Sequence, residues 1–262
     1  IGAVICYMLC YHMTTERVKV EQNTQKFSFK ELISEIAHNK ALIGIIVCAL
    51  LFLLAQLSLS NMNNYIYPNY FGNVSAMSLA NLAGMVVILV LSTFIVKLSA
   101  KVGKKELSVI GSIISAAAFL ILFFIHTDNV WVWIVLVLIS SVGTAMFNMV
   151  IWAMITDVID DSEVRTGVRQ DGTIYSVYSF ARKLGQACSS GISGVLLSII
   201  GYTAATAHDP KVVDGIYNVT CLVPALGMIL LFLALQFLYP LNKKRVEENA
   251  KILKERREAK VQ

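Results

Sequence analysis

Six long apolar runs divide this sequence, and they constrain its fold more than any other feature. They cover residues 42–64, 76–98, 107–125, 130–157, 173–200 and 216–239. As helices rising about 1.5 Å per residue, such runs can cross the ~30 Å hydrocarbon core of a bilayer. The chain has a mean hydropathy of +0.67 and 15% charged residues, and is therefore more apolar than an ordinary soluble domain. Because backbone groups in lipid must hydrogen-bond to one another, the runs predict an all-α, multi-pass integral membrane protein.

The runs and their connections predict four parts. We expect residues 1–13 to be the end of an earlier transmembrane helix, because this stretch is apolar, too short to span and lacks an initiating Met. Residues 14–41 form a linker, 42–239 a six-helix bundle and 240–262 a basic tail. Within the linker, segment 28–40 has apolar residues at i, i+3, i+4 and i+7, which predicts an amphipathic helix on the membrane surface.

Lysine and arginine are concentrated in alternate connections, which predicts the orientation. They fill the linker, the tail and the connections at 97–106 and 158–172, whereas the connections between these carry only Lys211. The linker and the tail, with the C-terminus, are therefore expected in the cytoplasm. The net charge of +5 follows from this topology and does not indicate nucleic-acid binding. The tail has charges in helical spacing, typical of a solvated helix beside anionic headgroups, with binding of a partner as an alternative.

Cysteine and histidine give no sign of a metal centre. The five cysteines lie in apolar segments without a C-x-x-C spacing, and the four histidines are not spaced as ligands. We therefore interpret the cysteines as packing residues and expect no bound metal.

The fifth run carries an arginine and a lysine near its middle. Lys183 lies about 15 Å along a helix that begins at Thr173, which is half of the hydrocarbon core. A charge at this depth costs at least ~2.5–3.5 kcal/mol unless protein or water receives it. At about 100° per residue, polar side chains share one face of this helix. They are Tyr175, Tyr178, Ser179, Arg182, Lys183, Gln186, Ser189 and Ser190. This face predicts a solute or ion pathway, although Gly185, Ser189 and Ser193 could also form a small-residue packing row.

An acidic cluster ends the fourth run. Asp157, Asp160 and Asp161 fall at i, i+3 and i+4, and Glu163 follows. The helix macrodipole disfavours negative charge at a C-terminus, so cations are expected opposite the cluster. The candidates within this chain are Lys104, Lys105, Arg165 and Arg169. An ordinary solvated helix end is the alternative.

Several short motifs occur in the order found in a known transporter family. They are Gly143-Thr-Ala-Met-Phe147, Asp157-Val-Ile-Asp160-x-x-Glu163, Val168-Arg169, Tyr175-Ser176, Lys183-x-Gly185 and Gly201-Tyr202. This order resembles the carboxyl half of the glycoside, pentoside and hexuronide cation symporters of bacterial cytoplasmic membranes. The resemblance implies a major facilitator fold with two six-helix halves, which carries a sugar with Na⁺ or H⁺ by alternating access. The chain would contain the end of helix six and helices seven to twelve, and the amino-terminal half would be its partner.

The resemblance also implies roles for individual residues. The lysine at 183 would lie beside the sugar and the coupling cation, in the cavity between the halves. A cytoplasmic gate, held by ion pairs between the halves, would contain Asp157, Asp160, Glu163 and Arg169. Asp171 would face a basic pair similar to Lys104 and Lys105.

Two positions depart from the family pattern and bear on the substrate. Asn148 stands in place of a tryptophan of the sugar cavity, and Arg182 in place of an apolar residue beside the lysine. A guanidinium can bind a carboxylate through two hydrogen bonds, so a hexuronide becomes a candidate substrate. Trp152, one turn from Asn148, could offer an aromatic face to a sugar or serve in packing. The predicted substrate and cation site consists of Asn148, Trp152, Tyr175, Tyr178, Ser179, Arg182, Lys183 and Gln186.

A second polar cluster surrounds Pro68 at the outer end of the first run. It contains Asn61, Asn63, Asn64, Tyr65, Tyr67, Asn69 and Tyr70. The sequence allows two interpretations of this cluster: tyrosines that anchor the helix at the membrane interface, or an outer vestibule for sugar.

Two other functions remain open on the sequence. A lipid or lysolipid carrier with this fold would have a more apolar cavity than the polar face of the fifth run. An intramembrane protease is suggested by Gly191-Ile-Ser193-Gly194, but its serine needs a histidine on another transmembrane helix, and His208 lies in an outer loop. We therefore expect a transporter that is not an enzyme and has no cofactor other than the coupling cation.

Overall fold

The computed structural model describes residues 2–15 and 39–259, and these fall into two units. The first unit contains helix α1 (Gly2–Met13), which is apolar and has no buried side chain. The predicted amphipathic helix at 28–40 lies outside the described residues apart from its last two positions. The second unit holds the remaining helices, and the candidate site lies within it.

A helix occupies each of the six apolar runs. These helices are α2 (Lys40–Tyr65), α3 (Val74–Val102), α4 (Lys104–Ile125), α5 (Val130–Thr166), α6 (Asp171–Ile199) and α7 (Pro210–Phe237). A π-helical turn, Ile66–Tyr70, extends α2, and the tail forms α8 (Lys243–Ala259). The described residues contain no β-strand. The all-α prediction is therefore confirmed.

Asparagine and aspartate side chains fix where the helices begin. The side-chain oxygens of Asn39, Asn73, Asn129 and Asp209 accept hydrogen bonds from backbone N–H groups in the first turns of α2, α3, α5 and α7. Each bond satisfies a donor that the helix itself cannot pair. At the other end of α5, Gly167 adopts φ 75°, and its N–H donates to Glu163 O at 2.9 Å. This left-handed turn ends the helix and returns the chain towards α6.

Five of these helices are long and apolar enough to cross a membrane: α2 with its π turn, α3, α4, α5 and α7. The helix α6 is long enough to span, with 29 residues, but its polar side chains make it less apolar. That α6 also crosses the membrane stays a prediction. The helix α5 extends nine residues beyond the predicted run, so the acidic cluster lies within the helix rather than in a connection.

Small residues bring α4 and α5 into direct backbone contact. A Cβ atom built on Gly111 would lie 2.5 Å from Gly143 O, and the hydroxyl oxygens of Ser115 and Ser140 are 2.7 Å apart beside this contact. Close approach through small residues is a common basis of helix association in membranes. The helix α4 also packs on α7, α2 packs on α6 and α7, and α3 packs on α5. The helix α2 thus contacts both α5 and α6, which meet each other at only a few positions.

The Gly111–Gly143 contact predicts a matched pair of stability effects. Gly143→Ala should lower the free energy of unfolding by ~1–3 kcal/mol, because the new methyl group must push the two backbones apart. Gly194→Ala is the control, since a Cβ there meets no atom within 4 Å. Thermal unfolding of the detergent-solubilised protein should show a lower melting temperature for Gly143→Ala alone. Equal melting temperatures in the two variants would contradict the contact.

Candidate functional site

One face of α6 packs against α2, and this decides which of its polar residues face outwards. Ser189 and Ser193 are buried, and a Cβ built on Gly185 would lie 2.8 Å from Leu50 Cδ2. The packing row proposed from sequence therefore exists. Ser189, which helical periodicity placed on the wet face, belongs to the packed face instead, because α2 covers it.

Lys183 lies on the exposed side of α6. Its Nζ atom donates a hydrogen bond to Gln186 Oε1 at 3.1 Å, one turn further along the helix. It forms no ion pair with any residue in 2–15 and 39–259. The ammonium group therefore keeps two of its three donors available for a ligand or for water.

Arg182 is held by aromatic rings from α5 and α6. Its Cζ atom lies 4.9 Å from the ring centroid of Trp152 and 5.8 Å from that of Tyr178, and its Nη1 donates to Tyr178 Oη at 3.2 Å. Cation–π contact of this kind stabilises a guanidinium over an aromatic face. Tyr178 is fully buried, whereas Trp152 and Tyr175 are 44% and 48% exposed, with ring centroids 5.9 Å apart. The cluster fixes the guanidinium and leaves two aromatic faces accessible.

The structure thus brings together some of the predicted substrate residues and not others. Arg182, Trp152, Tyr175 and Tyr178 form one cluster, and Lys183 with Gln186 forms a pair beside it. Ser179 is half-buried and Asn148 is exposed, and neither side chain makes a hydrogen bond within the described part of the chain. Their predicted roles in the site remain predictions.

Where α5 ends and α6 begins, Arg169 binds three carboxylates. Its Nη1 donates to Asp160 Oδ1 at 2.9 Å and to Glu163 Oε2 at 2.7 Å, and its Nε donates to Asp171 Oδ2 at 2.8 Å. Partial burial alone would lower the pKa of the guanidinium. The hydrogen bonds to the three carboxylates outweigh this effect and raise the pKa above its ordinary value. Arg169 therefore stays charged and ties the end of α5 to the start of α6.

The two lysines at the start of α4 have different partners. Lys104 Nζ lies 2.6 Å from Asp157 Oδ1, a carboxylate that is only 7% exposed. Lys105 Nζ donates to Tyr239 O at 2.7 Å, just beyond the C-terminus of α7. Within this chain Asp171 binds Arg169, which follows the turn at Gly167 and lies two residues before the start of α6. That Asp171 also faces a basic pair similar to these lysines stays a prediction.

The tail helix α8 docks on the acidic cluster, which sequence reasoning missed. Asn249 Nδ2 donates to Asp161 Oδ1 at 3.0 Å, and Asn249 is only 2% exposed. Arg256 donates to Glu163 O at 3.3 Å and to Val164 O at 3.1 Å, and Leu253 is buried. One face of the helix predicted to be solvated therefore packs on the bundle. Val246 and Leu253, two apolar residues seven positions apart within the charged segment, were the sequence signal for this packed face.

The outer polar cluster separates into two parts. Asn61 Nδ2 donates to Ser193 Oγ at 3.1 Å and joins α2 to α6 beside an open groove of about 290 Å³. The groove is lined by Asn61, Asn64, Tyr65, Ser190, Ser193, Gly194 and Leu197. Tyr67 and Tyr70 instead pack among other aromatic rings. Ser193 Oγ in turn donates to Ser189 O at 3.0 Å. No histidine of the described ranges forms a hydrogen bond with Ser193 Oγ, so these residues do not support the protease hypothesis.

Residues 3–243 match the sequence profile of a family described as MFS/sugar transport protein. The chain belongs to this family. An uncharacterized symporter of Bacillus subtilis (strain 168) is 31% identical over 240 residues, which are 91% of this chain and 52% of that protein. The glucuronide carrier protein homolog of Escherichia coli (strain K12) is 30% identical over 255 residues, 95% of this chain and 54% of that protein. The isoprimeverose transporter of Lactiplantibacillus pentosus is 25% identical over 260 residues, 95% of this chain and 54% of that protein.

Membership in the MFS/sugar transport family confirms the resemblance to glycoside, pentoside and hexuronide symporters. Together with the long apolar helices, it identifies an integral membrane protein of the major facilitator type whose relatives are sugar symporters and transporters. The chain spans about half the length of the relatives it matches, at 52–54% of each. The substrate, the coupling ion and the gate are therefore matters for proposal.

Proposed function

We propose that this chain is part of a bacterial symporter that couples the uptake of an acidic sugar or glycoside, such as a hexuronide, to Na⁺ or H⁺. Transport proceeds by alternating access, with the site in the cavity between this bundle and an amino-terminal half. The linker and α8 lie on the cytoplasmic side. The observation that carries the substrate class is the aromatic cluster that holds Arg182 beside Lys183.

Two adjacent cations on a membrane helix are tolerated only where a polar partner or water reaches them. Arg182 has one donor bonded to Tyr178 Oη, and its other N–H groups donate to no residue in the described ranges. A guanidinium with its remaining donors unpaired suits a carboxylate, which can accept two parallel hydrogen bonds. Lys183 adds a second positive charge on the same helix.

The aromatic faces suit the rest of a sugar. Trp152 and Tyr175 are both about half exposed and lie on either side of the α5–α6 contact. The apolar face of a pyranose ring packs on such rings, while the carboxylate lies against the arginine. A relative whose name concerns a glucuronide is consistent with this arrangement.

The test replaces Arg182 in the full-length protein and compares a glucuronide with the matching neutral glucoside. Arg182→Leu should weaken glucuronide binding roughly 10- to 150-fold, because a hydrogen bond to a charged group contributes about 1.5–3 kcal/mol. Binding of the neutral glucoside should change much less. The control Arg182→Lys keeps the charge and loses the planar fork, so it should give an intermediate loss for the glucuronide. Equal losses for both sugars would show that Arg182 only supports the aromatic cluster.

A further inference from the structure

A basic pocket of about 490 Å³ lies where α2 begins, α5 ends and the chain passes from α7 to α8. Its lining includes the cationic side chains of Lys40, Arg165, Lys244 and Arg245, and the acidic side chains of Asp161 and Glu248. Four positive and two negative groups leave two positive charges in excess. The pocket is separate from both the aromatic cluster around Arg182 and the carboxylates bound by Arg169.

Asp161 orients the two arginines of this pocket. Its side chain is 6% exposed, and its oxygens lie 3.6 Å from Arg245 Nε and 3.8 Å from Arg165 Nε. Both guanidiniums are thus approached from the Nε side, and their terminal amino groups donate no hydrogen bond to any residue of 2–15 and 39–259. Guanidinium groups arranged in this way present donors that match the oxygens of a phosphate.

The two lysines have no carboxylate partner in the described ranges. Lys40 and Lys244 are both exposed, and neither takes part in an ion pair or side-chain hydrogen bond there. Lys40 is the first residue of α2, and Lys244 lies in the first turn of α8. Helix N-termini carry a partial positive charge, so both helices disfavour lysine at these positions unless an anion is near.

The pocket lies at one end of three candidate membrane spans. Those of α2, α5 and α7 begin at Lys40, end at Thr166 and end at Phe237, and these are the termini beside the pocket. We propose that this pocket binds the phosphate of an anionic phospholipid, such as phosphatidylglycerol, in the inner leaflet. Basic pockets between transmembrane helices are suited to anionic headgroups. This inference rests on the membrane location of the bundle and does not depend on the transported substrate.

The test uses the full-length protein in neutral detergent and measures its binding of phosphatidylglycerol. Binding is followed by native mass spectrometry and by the shift in melting temperature. Phosphatidylcholine is the zwitterionic comparison. The double variant Lys40→Gln, Lys244→Gln should bind phosphatidylglycerol about 30-fold more weakly, since each basic residue near anionic lipid contributes about a factor of five. The matched control is Lys251→Gln, Lys254→Gln, which removes the same charge from the exposed side of α8 and should bind like the wild type.

A separate arm replaces the lipid with inorganic phosphate at millimolar concentration. Little protection by free phosphate, together with loss of lipid binding in the pocket variant only, supports the proposal. Equal protection by free phosphate, lost in the same variant, would show a site for a soluble anion and overturn the lipid assignment. Equal losses in the two double variants, or no loss in either, would show that the lipid responds to overall charge and not to this pocket. Melting temperatures without lipid verify that all variants fold.

Discussion

Lys183→Ala in the full-length protein is expected to abolish cation-driven accumulation of sugar. Lys183 lies on the exposed side of α6, with no ion pair in the described ranges and only Gln186 as a hydrogen-bond partner. On the prediction that α6 crosses the membrane, Lys183 lies near the midplane, where a charge costs at least ~2.5–3.5 kcal/mol and is therefore expected to be retained for function. Removing it leaves the packing face of α6 untouched, so the protein should still insert and fold.

The measurement is uptake into proteoliposomes under an imposed Na⁺ or H⁺ gradient, corrected for the amount of inserted protein. Lys211→Ala is the control, because it removes an exposed lysine from the first turn of α7, away from the polar face of α6. Lys183→Ala should fall to the background of empty vesicles, whereas Lys211→Ala should accumulate sugar normally. Normal accumulation by Lys183→Ala would rule out a role for this lysine in coupling or in substrate binding.

Arg169→Gln is expected to shift the protein towards the state open to the cytoplasm. Arg169 joins Asp160 and Glu163 of α5 to Asp171 of α6, with all three distances below 3 Å. Without it, the three carboxylates lose their shared cation and repel one another, which disturbs the surface that the predicted gate presents to the amino-terminal half. If the closed state loses roughly 1–3 kcal/mol more than the open one, the ratio of states changes about 5- to 150-fold.

A cysteine at Ser179 reports this change. In Arg169→Gln, labelling of Ser179→Cys by a reagent from the cytoplasmic side should rise, and transport should fall. Arg165→Gln removes an arginine from the same segment, but its nearest contact to a carboxylate is 3.8 Å, so it should label like the parent protein. Unchanged or decreased labelling in Arg169→Gln would show that the acidic cluster is an ordinary solvated helix end and not part of a gate.

Hydropathy and periodicity predicted the helices and the polar face of α6 because both depend on residues close in sequence. They could not assign each polar residue to a side. Ser189 lies within the periodic polar arc but is buried, because a different helix, α2, covers it. The pairing of Asp171 with Arg169 likewise depends on the turn at Gly167, whose geometry is not encoded in charge spacing. Docking of α8 requires Asp161 and Asn249, which are 88 residues apart.

The length of α5 has a mechanical consequence. One uninterrupted helix of 37 residues carries both Trp152, which contacts the guanidinium of Arg182, and Asp160, which binds Arg169. These two positions are separated by about 12 Å along the helix axis, with no hinge between them. A tilt of α5 therefore cannot alter one position and spare the other. Gly143, where α5 contacts α4, precedes both positions on the helix, so a tilt of α5 about that contact would move the aromatic cluster and the carboxylates in the same direction.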